Sequence, residues 1–139
     1  MNEIEQIMTA NPISVTQHTN INKARMAMSA KRIRHLPVID IESGKVVGIL
    51  SQKALLANAI KIINQRGFDK LEHTEKSMGV ETIMDTNPSI IQADTSLLDT
   101  AKLLQEQRSG CVCIEREGKL VGVVTSSDFV KLVIKERGG

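Results

Sequence analysis

Ile7-Met8-Thr9-Ala10-Asn11-Pro12 returns as Ile83-Met84-Asp85-Thr86-Asn87-Pro88, 76 residues further along the chain. An echo of this length at a fixed offset marks an internal repeat, and it divides the sequence before any helix or strand is assigned. The echo continues downstream. Leu36-Pro37-Val38-Ile39-Asp40 aligns with Cys111-Val112-Cys113-Ile114-Glu115, and Gly44-Lys45-Val46-Val47-Gly48-Ile49-Leu50-Ser51 aligns with Gly118-Lys119-Leu120-Val121-Gly122-Val123-Val124-Thr125. By this point the offset has shrunk to 74, as short insertions in surface loops would cause.

Each half reads as the same series of elements. Pro12 and Pro88 force extended backbone on the residue before them and lead into short β segments, Ile13-Ser14-Val15 and Ser89-Ile90-Ile91. In the first half Thr19 or Asn20 can cap a helix on which Ile21, Ala24, Met28 and Ile33 recur at helical spacing. In the second, Asp94, Thr95 or Ser96 caps a helix bearing Leu97, Ala101 and Leu104, with Gly110 expected to end it. Two β-branched runs follow, joined by Glu42-Ser43-Gly44 in one half and Glu117-Gly118 in the other, both with turn chemistry. A last helix opens at Ser51, or at Thr125-Ser126 with Asp128 in its first turn.

The expected fold class is therefore α/β (α+β): two tandem β-α-β-β-α repeats related by pseudo-twofold symmetry and packed as one module. The expected boundaries are 1–66 for the first repeat, 67–79 for a connector and 80–139 for the second. Leu55, Leu56, Ala59, Ile60 and Ile63 give a helix before the connector, whose polar run Asp69-Lys70-Leu71-Glu72-His73-Thr74-Glu75-Lys76-Ser77 reads as exposed. A half of 60 to 70 residues buries its sheet face poorly alone, so the halves are expected to fold together.

Composition narrows the function. Eighteen Lys and Arg against 16 Asp and Glu give a net charge of +2, too weak for a dedicated polyanion binder. Phe68 and Phe129 are the only aromatic residues, so no stacking platform for single-stranded nucleic acid exists and a bound base would lie on aliphatic side chains. No apolar run reaches the roughly 20 residues of a membrane span, and the acidic start Met1-Asn2-Glu3-Ile4-Glu5-Gln6 is unlike a secretion signal. A cytoplasmic location is expected. Cys111 and Cys113 alternate on a strand and read as buried hydrophobes rather than a disulfide. His18, His35 and His73 stand at no zinc-like spacing from them, so no metal site is expected. Met8, Met26, Met28, Met78 and Met84 read as core filling or a dimer surface.

These residues resemble the CBS domain family, whose repeats pair into Bateman modules. The marks are Ile7-Met8 with Asn11-Pro12, His35-Leu36-Pro37-Val38-Ile39-Asp40 and Gly48-Ile49-Leu50-Ser51, then Ile83-Met84 through Pro88 and Gly122-Val123-Val124-Thr125-Ser126-Ser127-Asp128. The resemblance implies a regulatory module with two related clefts, one of them holding the ribose of an adenosine ligand on the Asp of a Gly-x-x-Thr-x-x-Asp segment. Here that Asp is Asp128. Val123, Thr125 and Ser127 would flank it, and the cleft would be completed by Ala10, Pro12 and Ile13 and by Ile33, Arg34 and His35, with Arg34 facing phosphate. Independently of the family, a strand running into a helix start presents free N–H groups and hydroxyls suited to ribose or phosphate. The equivalent first-repeat segment is Ser51-Gln52-Lys53-Ala54, where alanine replaces the aspartate, and Ser109 and Gly110 align with Arg34 and His35 while Arg108 stands nearby. One competent cleft and one degraded cleft are expected.

Thr125 to Asp128 also reads as a plain helix cap, and Lys31-Arg32-Ile33-Arg34-His35 as a solvated helix end. The functional expectation is a sensor for an adenine nucleotide, AMP ahead of ATP, ADP or an adenosyl compound, that acts on an effector protein. The alternative is a ligand-independent interaction module with a vestigial cleft. Nucleic-acid binding through Lys31, Arg32 and Arg34 ranks behind both, and no enzyme is expected because no nucleophile and base, carboxylate pair or phosphate loop is present. No cofactor is required beyond the regulatory nucleotide. A homodimer is expected through Leu55, Leu56, Ile60, Ile63, Leu132 and Val133.

Overall fold

The computed structural model describes residues 2–107 and 110–138. They form two compact units, one of residues 1–12 with 88–139 and the other of residues 13–87. In chain order the elements are α1 (Glu3–Ile7), β1 (Thr9–Ala10), β2 (Val15–Thr16), α2 (Ile21–Lys31), β3 (His35–Ile39), β4 (Val46–Ser51), α3 (Gln52–Arg66), α4 (Leu71–Lys76), β5 (Ser89–Gln92), α5 (Leu97–Glu106), β6 (Cys111–Arg116), β7 (Lys119–Thr125) and α6 (Ser126–Gly138). Short 3-10 turns at Phe68–Lys70 and Val80–Thr82 flank α4.

Each unit holds one mixed sheet, β2-β3-β4 in residues 13–87 and β1-β7-β6-β5 in the other. The first strand of each repeat pairs in parallel with the second, Val15 opposite Val38 and Ser89 opposite Val112. The hairpins β3–β4 and β6–β7 are antiparallel and carry a bulge at the same place, after Val38 and after Ile114. Glu117 and Gly118 lie at φ 54° and 77°, so β6–β7 closes with the two-residue turn that suits strand twist, while the β3–β4 loop is longer.

The register corrects the sequence alignment by one residue. His35 lies opposite Ser51, and Cys111 lies opposite Thr125. Cys111 is thus the counterpart of His35, and Gly110 that of Arg34. The longer first hairpin had hidden the slip, since a shift of one along a strand is cheap in sequence and exchanges the faces of the sheet. Ser109 and Arg108 lie outside the described residues.

Asn20, Ser51 and Ser96 cap α2, α3 and α5, each accepting an N–H bond from three residues on. Helix α5 stops at Glu106 rather than running to Gly110, and β2 begins at Val15, two residues after the expected start.

The cores show how the repeats are built. Ile21, Ala24, Met28, Leu36, Val38, Leu50 and Leu55 pack with Val80, whereas Val112, Ile114, Val124, Ala93 and Leu104 pack with Ile4. Ile4 and Val80 are 76 residues apart and both fully buried. The leading turn of each repeat therefore fills the sheet of the other. The unforeseen α1 exists to deliver Ile4. Next in line, Met8 covers Gly122 and Met84 covers Gly48, where a Cβ would strike the sulfur.

The run 69–77 is mostly exposed, as its polarity suggests, but it is not a plain connector. It is largely helical, with Thr74 and Glu75 buried, and Glu75 accepts two bonds from Arg25 of α2, including Nε to Oε1 at 3.0 Å. This bond with Glu75 raises the pKa of Arg25 above its ordinary value. The chain beyond is strapped back by Ile21 N–H to Met78 O and Val80 N–H to Thr19 O, both at 2.8 Å.

Candidate functional site

Strand β1 runs antiparallel to β7, with Ala10 opposite Gly122 and Thr9 opposite Val123. Ala10 is exposed, and Val123 and Thr125 are half-buried. Asn11, at φ 49° rather than in the extended backbone expected before Pro12, donates its N–H to Val121 O at 3.1 Å and turns the chain off the edge at Pro12, a conformation that asparagine tolerates. Among the side chains expected at the ligand, the structure brings Ala10, Pro12, Val123, Thr125, Ser127 and Asp128 into one unit.

Asp128 sits in the first turn of α6, and its Oδ2 accepts the Thr125 N–H at 2.8 Å with the Thr125 hydroxyl at 3.4 Å. One oxygen is thus engaged in holding the strand-to-helix junction. This is the half of a capping box in which the third helical residue reaches back. The geometry fixes the carboxylate in place, ready to accept hydroxyl hydrogens. Ser126 and Ser127 are exposed beside it.

Ile13, Ile33, Arg34 and His35 lie in the other unit. Ile13 and Ile33 are half-buried against its core. Arg34 is exposed, its carbonyl accepting the Gln52 N–H at 2.8 Å, and His35 is half-buried at the head of β3. At the start of α3 the polarity of the cap is reversed: the Ser51 hydroxyl accepts the Ala54 N–H at 3.0 Å, and no acid stands in the first turn. The left-handed Arg32, next to Lys31 and Arg34, was not among the side chains assigned to the ligand, although its place after the helix was visible in the sequence.

Cys111 and Cys113 are buried thiols, with burial pushing both up to about 12, which leaves them protonated and inert at neutral pH. Among the described residues, no group of three His, Cys, Asp or Glu is placed to hold a metal ion. Likewise, no described helix is long and apolar enough to cross a membrane.

The CBS domain model matches residues 4–68 and 80–135, and the chain belongs to that family, as a pair of repeats. The CBS domain-containing protein DDB_G0289609 of Dictyostelium discoideum is 29% identical over 95% of this chain and 91% of its own. Two other curated relatives are longer, and the chain spans 30% and 33% of them. Among solved structures, the CBS-pair protein CBSX2 of Arabidopsis thaliana superposes with a TM-score of 0.82 at 26% identity, covering 99% of this chain and 98% of that one. The structure of CBSX2 in complex with AMP gives a TM-score of 0.76 at 26% identity, covering 99% of both chains.

Proposed function

We propose that this chain is a cytoplasmic regulatory module that binds one adenine nucleotide at the Asp128 site and passes the resulting change to an effector protein. The observation that carries the reading is the fixed Asp128 carboxylate beside Ala10 and Val123 on the β1–β7 edge, an arrangement that the first repeat lacks. Oδ1 accepts ribose hydroxyls. Thr125 and Ser127 supply further hydroxyls, and Ala10, the backbone near Pro12 and Val123 in the same unit meet the adenine. The AMP complex of the relative CBSX2 supports AMP as the first ligand to try, ahead of ADP, ATP and adenosyl compounds.

The ligand regulates only through a difference in affinity between two states of the module. Output by a homodimer suits the exposed Leu56 and Ile60 on α3 and Val130, Val133 and Ile134 on α6, matching stripes 74 residues apart. Leu55 is in the core and does not belong to that surface. Light scattering at micromolar concentration is expected to give twice the chain mass.

The same stripes favour a second reading, an interaction module that needs no ligand. Isothermal titration calorimetry with AMP, ADP, ATP, S-adenosylmethionine and GTP separates the two. Micromolar binding of an adenine ligand at one per chain, lost in Asp128→Ala with the fold kept, supports the sensor. No heat with any of the five from folded protein selects the interaction module.

A further inference from the structure

An Asn-Pro pair stands at the entry to each repeat, and the two asparagines fold differently. In the register that equates Ser51 with Thr125, Ile49 is the counterpart of Val123. Asp85 lies opposite Ile49 as Thr9 lies opposite Val123, so Asn87 is the counterpart of Asn11. Met84 on Gly48 and Met8 on Gly122 anchor both segments alike. Beyond the methionine they part. The Asp85 carboxylate captures the Asn87 N–H, with N to Oδ1 at 2.9 Å, and Asn87 does not take the left-handed backbone. Thr9 has no carboxylate to offer. The Asn11 N–H stays on the sheet and donates to Val121 O, one step beyond the pairing of Ala10 with Gly122, and Asn11 is left-handed there.

The non-glycine residues at positive φ among the described residues are Asn11, Arg32 and Glu117. Two of them have local causes: Arg32 closes the end of α2, and Glu117 lies in the tight turn between β6 and β7. Asn11 closes no helix and turns no hairpin. It also precedes a proline, whose ring favours extended backbone in the residue before it. The fold does not demand this conformation, since the same dipeptide enters the other repeat without it. A disfavoured backbone kept in one copy and absent from the other argues that its geometry is used. That geometry sets how Ala10 stands to Pro12, the two residues that Asn11 joins in the unit that holds Asp128.

We propose that Asn11 is a positioning residue of the Asp128 site, acting through its left-handed backbone rather than through its side chain to aim Pro12 relative to Ala10. The proposal rests on the nucleotide reading above and names what fixes the edge that meets the adenine. Asparagine suits the task. It reaches the left-handed region more readily than other side chains, whereas glycine would reach it and leave the segment free to adopt many others.

The test is calorimetry with AMP, ATP and S-adenosylmethionine on wild type, Asn11→Gly, Asn11→Ala, Asn11→Val and Asn87→Val, with amide hydrogen exchange followed by NMR. Asn11→Gly retains access to the left-handed backbone and is expected to bind within about twofold of wild type. Asn11→Val, whose β-branched side chain is excluded from that region, is expected to lose about tenfold, Asn11→Ala less, and Asn87→Val nothing. Should Asn11→Val fail to fold, Asn11→Ala carries the comparison. A loss in Asn11→Gly as large as in Asn11→Ala assigns the effect to the side chain and overturns the proposal, as does equal affinity in every Asn11 variant or an equal loss in Asn87→Val. If wild type binds none of the three ligands, the nucleotide reading falls, and exchange decides the positioning. An Asn11 N–H protected in wild type and Asn11→Gly but not in Asn11→Ala upholds the backbone role, and the same exchange in all three overturns it.

Discussion

The starts of α3 and α6 are the same junction solved in opposite ways. In the first, the Ser51 hydroxyl reaches forward to the Ala54 N–H; in the second, Asp128 reaches back to the Thr125 N–H. Each is half of a reciprocal cap, and the chain uses one half in each repeat. A serine alone therefore suffices to start such a helix. The carboxylate at the second junction holds the Thr125 N–H with one oxygen and leaves the other uncommitted, which makes it the side chain to test for function.

Asp128→Ala attacks that comparison directly and carries the largest expected effect. Loss of an ionised acceptor for ribose hydroxyls should weaken nucleotide binding about 100-fold by calorimetry. Asp128→Asn keeps an oxygen for the Thr125 N–H, so it should hold the wild-type melting temperature while still binding poorly. An Asp128→Ala protein that binds as wild type would make the two junctions equivalent and end the distinction.

The units also differ in how their leading segments are tied down. Glu75 is buried against Arg25, whereas Glu5 pairs with the half-exposed Arg116, a bond that lowers the pKa of Glu5. Arg25→Met strands a buried carboxylate and should cost about 2 kcal/mol in urea unfolding, below the full value for a buried pair because Arg25 is partly solvated. Arg116→Met should cost clearly less. Equal losses would show that burial is not what separates the two.

Alanine at the paired glycines sharpens the contrast further. At Gly48 a Cβ would meet the backbone oxygen of Asp85 at 2.9 Å as well as Met84, whereas at Gly122 it meets only the flexible Met8 side chain. Gly48→Ala should lose about 1–3 kcal/mol and Gly122→Ala less, read from denaturation midpoints. The smallest effect belongs to the turn: Glu117→Asn places a residue tolerant of positive φ before Gly118 and should stabilise by about 0.5 kcal/mol.

The repeat, the helix caps to within one of two or three adjacent residues, and the strands β3 and β6 were legible in the sequence because they depend on local chemistry and short periods. Glu75 was not. Nothing in a polar run shows that one acid will meet an arginine 50 residues away. The one-residue register slip was hidden for a related reason, since His35 and Cys111 share no chemistry and only the pairing with Ser51 and Thr125 aligns them. At the candidate site, the place of Asp128 in the first turn of a helix was readable, but the engagement of one carboxylate oxygen by Thr125 depends on a rotamer. Arg32 was visible as a charge, while its left-handed backbone was not.

The exchange of Ile4 and Val80 between the cores bears on where such a chain came from. A lone ancestral repeat could not plug its own sheet, but two copies trading their leading turns could, as a swapped homodimer. Gene duplication and fusion would then have turned a concentration-dependent assembly into an intramolecular one, replacing a bimolecular encounter with the high effective concentration of a tether. Joined in one chain, two copies need not remain identical, and here they differ at the helix start, with Asp128 in one and Ala54 in the other.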